Sequence, residues 1–318
     1  MKAVVLPKFG AADLLEVKEV DMPETGPGQV LVRVVASGVN PVDAKLRADG
    51  SWAQLSPPVI LGYDVGGVVE AVGPGVDDFA PGDEVYFTPE IFANPFGSYA
   101  QYTVASAGIV APKPKGLSFE DAAAIPLAGG TAWEAVIRRL RISAGETVLI
   151  HSGAGGVGSF AVQFAKAAGA RVIATASAGN RETLLELGAD VAVDYKEQDA
   201  AEAALEETDG KGVDAAFDIS GENRVSRCLP GVRPFGRVAY ILPPEGDLSL
   251  SYQKNITLHG VFLTRERARL EEMRPLFERG LAKPIVDQVL PLEEVSLAHK
   301  RLETEHGRGK VVLAVREA

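Results

Sequence analysis

The chain has few of the residues on which several kinds of site depend. Its 318 residues include one cysteine, Cys228, and four histidines. A single cysteine excludes an intrachain disulfide and a four-cysteine zinc site. The histidines show no ligand spacing along the chain. This composition fits a reducing compartment, so we expect a cytoplasmic protein.

Positive charge and long hydrophobic runs are also scarce. The chain carries 32 Lys and Arg against 43 Asp and Glu, which gives a net charge of -11. Nucleic acids and anionic membranes require a basic surface, so neither is an expected partner. No run approaches the roughly 18 apolar residues of a membrane-spanning helix, and residues 1–10 are too short in their apolar part for a signal sequence. A small molecule is therefore the expected ligand.

The pattern of apolar residues changes partway along the chain. Up to about residue 112 the apolar stretches are short, rich in valine and bounded by Gly, Pro and Asp, which predicts a β-rich, largely antiparallel domain. Ser118, followed by acidic residues, predicts a helix start. From residue 147 strand and helix patterns alternate, which predicts an α/β fold with a doubly wound parallel sheet.

The last part of the chain follows a different pattern. Residues 264–318 do not extend the nucleotide sheet in any obvious way, so we expect them to return to the first domain. The alternating charges of residues 265–272 indicate a solvated helix face.

A glycine-rich run connects the first predicted strand of the alternating region to a helix. Residues 151–158 read His-Ser-Gly-Ala-Gly-Gly-Val-Gly and satisfy Gly-x-Gly-x-x-Gly. In this context backbone N–H groups at a helix N-terminus bind a pyrophosphate. The sequence therefore predicts a dinucleotide-binding Rossmann domain that follows a separate N-terminal domain, with cofactor contacts at Gly153, Gly155, Gly156, Val157 and Gly158.

The tip of the second predicted strand favours NADPH over NADH. Sites selective for NAD carry an acidic residue about 20 positions after the glycines, and residues 177–181, at the tip of this strand, include none. Ser177 can donate a hydrogen bond to a 2′-phosphate and Arg181 can supply positive charge. The alternative is that Arg181 only solvates a helix N-terminus, where a cation is electrostatically disfavoured.

Several motifs occur in an order that resembles a known family. Each motif alone is weak evidence, but the ordered set is strong evidence. The set comprises residues 28–34 (GQVLVRV), 36–43 (ASGVNPVD), 61–69 (LGYDVGGVV), 82–85 (GDEV), 97–102 (GSYAQY) and the glycine loop. It resembles the zinc-independent quinone oxidoreductase branch of the medium-chain dehydrogenase/reductase superfamily. The resemblance implies a GroES-like catalytic domain over residues 1–122, a Rossmann domain over 123–263 and a returning segment over 264–318.

The residues at the family's zinc positions differ from metal ligands. Zinc-dependent members place Cys where Asn40 stands, His and Glu where Tyr63 and Asp64 stand, and a second Cys near Leu127. Catalytic zinc needs three Cys, His or carboxylate donors and an open position, which amide, phenol and alkyl side chains do not supply. We therefore expect no metal, although Asp64 alone leaves weak binding of a hard cation open.

The resemblance also implies positions for further cofactor contacts and for a dimer interface. It places Tyr195 at the 2′-phosphate, Thr131 near the nicotinamide, Ser220 and Gly221 beside the cofactor groove, Ile241, Leu242, Phe262 and Leu263 at the nicotinamide end, and Lys310 within reach of the cofactor. The alternatives are ordinary core positions for the apolar residues and an exposed strand-entry lysine. Residues 256–263 are the expected homodimer edge.

Without a metal, hydride transfer to an activated alkene or a quinone is the reaction that requires the fewest catalytic groups. In an enone or quinone the developing charge reaches a distant oxygen, so oriented hydrogen bonds suffice. Asn40 is the expected partner of that oxygen, with Tyr63 and Lys45 as further donors, although Asn-Pro is also a turn signal. We expect an NADPH-dependent quinone or enone oxidoreductase. An enoyl-thioester reductase and a low-turnover nucleotide-binding protein with a crystallin-like or RNA-associated role are the alternatives.

Overall fold

A computed structural model describes residues 1–220, 224–304 and 307–316. Gly221, which the family resemblance places beside the cofactor groove, lies outside the described residues. The chain forms two compact units. Unit 1 comprises Met1–Ala128, Thr264–Gly280 and Pro284–Ala318, and unit 2 comprises Gly129–Leu263 and Leu281–Lys283.

Most of the strands are short, as the spacing of Gly and Pro predicts, and the longest has 11 residues. In chain order they are β1 (Lys2–Leu6), β2 (Glu16–Glu19), β3 (Gln29–Val39), β4 (Val59–Ile60), β5 (Val65–Val72), β6 (Glu84–Phe87), β7 (Tyr102–Ser106), β8 (Ala111–Pro112), β9 (Thr147–Ile150), β10 (Arg171–Ala176), β11 (Val191–Asp194), β12 (Val213–Asp218), β13 (Val232–Tyr240), β14 (Thr257–Gly260), β15 (Val286–Pro291) and β16 (Lys310–Ala314).

From residue 147 the α-helices alternate with strands as the sequence pattern predicts, whereas the helix at Pro41–Ala48 lies within the region predicted to be β-rich. The α-helices are α1 (Pro41–Ala48), α2 (Phe119–Ala123), α3 (Pro126–Trp133), α4 (Gly156–Ala167), α5 (Arg181–Glu186), α6 (Ala200–Glu206), α7 (Arg224–Cys228), α8 (Ser249–Gln253), α9 (Arg267–Glu278) and α10 (Val295–Thr304). Ser118 caps α2 as predicted, because its side chain accepts the Asp121 N–H at 3.0 Å. No helix within the described ranges is long and apolar enough to cross a membrane.

Unit 1 is built on two sheets. The larger has the order β15-β16-β3-β5-β6-β8, with β7 also paired to β3, and the smaller has the order β2-β1-β4. β16 runs antiparallel to β3, with Val311 opposite Val39. Residues from the end of the chain thus continue the sheet that β3 begins, and this pairing brings Lys310 to the end of β3.

Unit 2 is the predicted parallel sheet, in the order β11-β10-β9-β12-β13-β14. Its strands bury aliphatic residues, because a parallel sheet is covered on both faces. One cluster of buried residues includes Leu149, Ile173, Val213 and Val238. The α/β fold class is confirmed, and the carboxyl ends of all six strands share one edge of the sheet.

The interpretation of residues 265–272 as a solvated helix face is wrong at Arg269, which exposes only 3% of its surface. Its guanidinium donates to the Thr264 carbonyl at 2.6 Å and pairs with Glu266 at 2.7 Å. The side chain folds back along the helix and satisfies groups at the N-terminal end of α9. Alternating charge along the sequence does not reveal such local pairing.

Candidate active site

In unit 2, the glycine loop leaves β9 and turns sharply into α4. The loop is fixed by backbone bonds from His151 N to Phe217 O at 3.0 Å and from Gly153 N to Thr175 O at 2.8 Å. Ser152 adopts a positive φ of 53°. Gly155 is the N-cap of α4 and has no side chain to bind the first N–H groups of the helix. Those groups suit the pyrophosphate of a dinucleotide.

Two of the loop glycines are required by close approach. A Cβ on Gly158 would lie 2.1 Å from Ser152 O and 2.7 Å from Gly153 Cα. A Cβ on Gly153 would lie 2.8 Å from Leu184 Cδ2. The cradle therefore exists only because these positions carry no side chain, which fits the dinucleotide motif.

The residues predicted to bind the 2′-phosphate lie at the carboxyl ends of neighbouring strands. Ser177 directly follows β10, and Tyr195 directly follows β11. The backbone N of Tyr195 donates to Ala176 O at 3.3 Å, which holds the two strand ends together. Arg181 is exposed at the first position of α5. These three side chains border the same corner of unit 2, and their contact with a phosphate stays a prediction.

Sequence analysis missed a second cation near this corner. A pocket at the carboxyl edge of the sheet is lined in part by His151, Tyr195 and Arg227. Arg227 comes from α7, and its Nη2 pairs with Asp199 at 3.3 Å. The sequence held no signal for it, because the arginine lies some thirty residues beyond Tyr195 and follows no strand.

The remaining predicted cofactor residues of unit 2 follow the other strands. Ser220 comes after β12, and its Oγ donates to Asp218 Oδ1 at 3.1 Å. Thr131 is buried in α3. Ile241 and Leu242 follow β13, and Phe262 and Leu263 follow β14. Phe262 is exposed, and the other three are half-buried. Their roles toward a nicotinamide stay predictions.

In unit 1, three residues donate to the Asp64 carboxylate. Asn40 Nδ2 donates to Asp64 Oδ2 at 2.8 Å, and Leu127 N donates to Asp64 Oδ1 at 2.7 Å. Lys310 Nζ pairs with Asp64 Oδ2 at 3.2 Å. The exposed fractions of Asn40, Asp64 and Lys310 are 2%, 0% and 5%. Burial raises the pKa of Asp64, and the ammonium and the two donated hydrogen bonds oppose that rise.

The Lys310 ammonium has an acceptor for each of its three hydrogens. They are the Asp64 carboxylate, the Val39 carbonyl at 3.0 Å and the Asn40 Oδ1. An ammonium has three donors and no acceptor. A bond from Lys310 to the cofactor, which the family resemblance implies, would therefore have to replace one of these three.

Tyr63 and Lys45 occupy different environments. Tyr63 is fully buried, and its hydroxyl has no hydrogen-bond partner among the described residues. Burial and the nearby Asp43 carboxyl raise the pKa of Tyr63, so the phenol stays protonated and able to donate. Lys45 is exposed on α1, and no hydrogen bond within the described ranges joins its side chain to the Asp64 cluster.

Arg265 is a charged group near this cluster that sequence analysis assigned to the solvent. Its Nε donates to Pro89 O at 3.2 Å. Burial lowers the pKa of the guanidinium, while Glu90, Tyr63 and Asp64 act in the opposite direction. Arg265 thus adds positive potential beside Tyr63. Its place just after the last predicted strand of the parallel sheet was the one available signal.

The donor set does not fit a catalytic zinc ion. Of the positions at which zinc-dependent family members place ligands, Asn40, Tyr63 and Leu127 offer an amide, a phenol and an alkyl group. Asp64 is the one carboxylate, and chain groups already bind both of its oxygens. Within the described part of the chain no three His, Cys, Asp or Glu residues are grouped so that they could hold a metal.

Comparison with known proteins agrees with this architecture. Residues 26–115 match the family described as alcohol dehydrogenase GroES-like domain, and residues 156–279 match the family described as zinc-binding dehydrogenase. The chain is 37% identical to the NADPH-dependent alkenal/one oxidoreductase of Arabidopsis thaliana, over 98% of this chain and 79% of that protein.

Solved structures are similar to the chain over nearly its full length. One, of an NAD-dependent alcohol dehydrogenase, has a TM-score of 0.92 and 36% identity and covers 99% of this chain and 100% of its own. Another, of the quinone oxidoreductase from Coxiella burnetii, has a TM-score of 0.90 and 31% identity and covers 99% of each chain. The chain therefore belongs to the medium-chain dehydrogenase/reductase superfamily, in its quinone oxidoreductase-like branch.

Proposed function

We propose that the chain is an NADPH-dependent, zinc-independent oxidoreductase that transfers hydride to a quinone or to an α,β-unsaturated carbonyl compound. The observation that carries this proposal is the closed set of hydrogen bonds around Asp64, at the positions where zinc-dependent members hold their metal. Because these side chains do not form a zinc site, a reaction here has to proceed without a metal ion as Lewis acid. Conjugate reduction meets this condition, because charge delocalises onto an oxygen that hydrogen bonds can stabilise.

NADPH is the cofactor that the residues of unit 2 suit. The uncapped start of α4 would hold the pyrophosphate. Ser177, Arg181 and Tyr195 would hold the 2′-phosphate, and no acidic side chain stands at residues 177–181 to repel it. When bound, the reduced nicotinamide supplies a hydride. The name of the Arabidopsis relative, which states NADPH dependence, supports this choice.

The buried polar groups of unit 1 would stabilise the acceptor. Tyr63 Oη is a protonated donor without a partner among the described residues, and Asn40 Nδ2 has one hydrogen beyond the one given to Asp64. Both would donate to the substrate oxygen as negative charge develops on it. Water can then protonate the enolate or quinol anion that hydride transfer leaves, so no dedicated acid is needed.

Turnover with three acceptors tests the proposal. We expect NADPH oxidation with a naphthoquinone or a 2-alkenal and little with crotonyl-CoA, because the net charge of -11 disfavours a phosphorylated thioester. Preference for crotonyl-CoA would favour the enoyl-thioester alternative. Tight NADPH binding without turnover of any acceptor would favour the nucleotide-binding alternative.

Metal independence has its own test. Dialysis against a strong chelator is expected to leave the rate unchanged, and metal analysis is expected to find no stoichiometric zinc. A loss of activity that added zinc restores would overturn this part of the proposal.

We also propose a homodimer formed through the edge strand β14. This strand pairs with β13 on one side, and aromatic residues beside it are largely exposed, with Phe235 at 72% and Tyr252 at 87%. The backbone N of Phe235 donates to Lys254 O, which holds the backbone at Phe235 close to the start of β14. Light scattering is expected to give twice the chain mass, and Leu258→Pro, which removes a backbone donor within β14, is expected to reduce it.

A further inference from the structure

The Asn40 carboxamide lies between two opposite charges. Its Nδ2 faces the Asp64 carboxylate at 2.8 Å, and its Oδ1 accepts a hydrogen bond from the Lys310 ammonium. Rotating the amide by half a turn would set Oδ1 against the carboxylate and the amide hydrogens against the ammonium. Both contacts of the rotated amide would be repulsive, and weak screening in a buried site strengthens that repulsion. The pair therefore permits one orientation of the amide.

This orientation leaves one amide hydrogen available. Nδ2 carries two hydrogens, and one is bound by Asp64. The other has a contact of 3.5 Å with Gly38 O, which is longer than an ordinary N–H···O bond. A cation on Oδ1 withdraws electrons from the amide nitrogen, so the remaining N–H becomes a stronger donor.

We propose that Lys310 is a positioning residue whose ammonium, together with Asp64, locks the Asn40 carboxamide and strengthens the N–H that Asn40 presents to the substrate oxygen. The inference rests on the proposed function, in which Asn40 contacts that oxygen. It gives Lys310 a role through Asn40 in place of direct contact with the cofactor.

Removal and chemical replacement of the ammonium test this role. Lys310→Ala removes a fragment equivalent to n-propylammonium. We expect kcat for an enone to fall about a hundredfold, as for a reacting group displaced by about 1 Å. Added n-propylammonium is expected to restore at least tenfold of that loss, whereas tetramethylammonium, which has no N–H, restores none. A kcat within twofold of wild type, or equal rescue by both cations, would overturn the proposal.

A buried lysine elsewhere in unit 1 provides the matched control. Lys113 pairs with Glu84 at 3.1 Å and donates to Leu117 O at 2.5 Å, and its side chain is as buried as that of Lys310. Lys113→Ala is expected to lower stability without an amine-dependent kcat. Amine rescue of Lys113→Ala to the same extent would show that the effect is general and would refute the specific role.

A double mutant separates action through Asn40 from action on the cofactor. In an Asn40→Ala background, Lys310→Ala is expected to cost less than threefold in kcat, and amine is expected to rescue nothing, because the group that Lys310 positions is gone. The Kd for NADPH is expected to change less than twofold in Lys310→Ala. Additive losses, or a tenfold weaker Kd for NADPH, would overturn the proposal in favour of direct cofactor binding.

A measurement on the wild-type protein does not depend on variant folding or on turnover. The chain has five asparagines, so ¹⁵N-asparagine labelling gives five side-chain amide pairs. We expect one pair whose hydrogens exchange slowly with solvent. Rapid exchange of all five pairs would overturn the locked amide even in an active enzyme. Wild-type protein that turns over no acceptor but shows the protected pair would instead refute the proposed function alone.

Discussion

The Tyr99 hydroxyl donates a 2.7 Å hydrogen bond to Oδ2 of Asp43, and both side chains are fully buried. Tyr99 Oη also lies 3.2 Å from Nε2 of His299, whose Nδ1 lies 3.4 Å from Nη1 of Arg47. A guanidinium only donates, so Nδ1 is the acceptor and Nε2 carries the hydrogen of the neutral imidazole. The donors therefore run in one direction, from Arg47 to Asp43.

Asp43 makes stability depend on pH near neutrality. Burial raises its pKa from 3.8 to about 7, against the opposing bonds from Tyr99 and the Asn40 N–H. Between these values the folded state binds more protons than the unfolded state, so the contribution of this group to the free energy of unfolding falls as pH rises from about 4 to 7. Urea titrations are expected to show that wild type loses stability relative to Asp43→Asn as pH rises over this range. A difference independent of pH would contradict the assignment.

His299 makes stability change with pH in the opposite direction. Burial, assisted by the Arg47 charge, lowers its pKa from 6.5 to about 3. The neutral ring is bound in the folded state, so its stabilising contribution is complete above pH 6.5 and is lost as pH falls toward 3. His299→Gln is expected to flatten the acid side of the stability profile. The two groups oppose each other between pH 4 and 6.5, so each variant has to be compared with wild type separately.

Gly158→Ala is expected to disrupt the cofactor cradle. The added methyl group would lie 2.1 Å from Ser152 O, so the loop has to move away from its N–H array. We expect the Kd for NADPH, measured by nucleotide fluorescence, to rise at least tenfold, with a loss of about 1–3 kcal/mol in stability. Gly108→Ala is the control, because its nearest neighbour would be Ser106 Oγ at 3.6 Å. Unchanged affinity in Gly158→Ala would mean that the loop does not bind the cofactor.

Arg181→Ala is expected to reduce the preference for NADPH over NADH. A charge-assisted bond to a phosphate contributes roughly 1.5–3 kcal/mol, which corresponds to a loss of about tenfold or more in the ratio of kcat/KM values. Arg227→Ala, at the neighbouring pocket, is expected to have a smaller effect because Asp199 neutralises part of its charge. An unchanged ratio in Arg181→Ala would leave this arginine as a solvated helix residue.

The Asp64 and Lys310 pair is expected to dominate the stability of its surroundings. Lys310→Met leaves a buried carboxylate without its cation and should cost about 3–5 kcal/mol in the free energy of unfolding. The double variant Asp64→Leu with Lys310→Met removes both charges and should recover part of that loss. Calorimetry would measure both. A double variant less stable than Lys310→Met would indicate that the hydrogen bond to Leu127 N matters more than the charge.

The parallel sheet and the glycine loop were predictable because their signals are local. The alternation of strand and helix patterns, and the placement of Gly153 and Gly158 between a strand and a helix, are visible within windows of a few residues. The Ser118 cap was predicted for the same reason, since the side chain and the N–H that it binds lie three residues apart.

The cluster in unit 1 was not predictable in this way. Lys310 meets Asn40 across 270 residues of sequence, through the antiparallel pairing of β16 with β3. Nothing in the residues around position 310 reports which strand will be the partner. For the same reason the hydrogen bonds that join Arg47, His299 and Asp43 across the unit were absent from the sequence analysis, although each residue type was visible.

The distance along the chain between Asp64 and Lys310 also sets an order of events during synthesis. A ribosome makes the carboxylate 246 residues before it makes the cation. Throughout that interval Asp64 lacks the Lys310 counter-charge, and strand β16 is missing from its sheet. Unit 1 therefore gains β16 only after the residues of unit 2 have been synthesised, and the Lys310 ammonium can orient the amide of Asn40 only then.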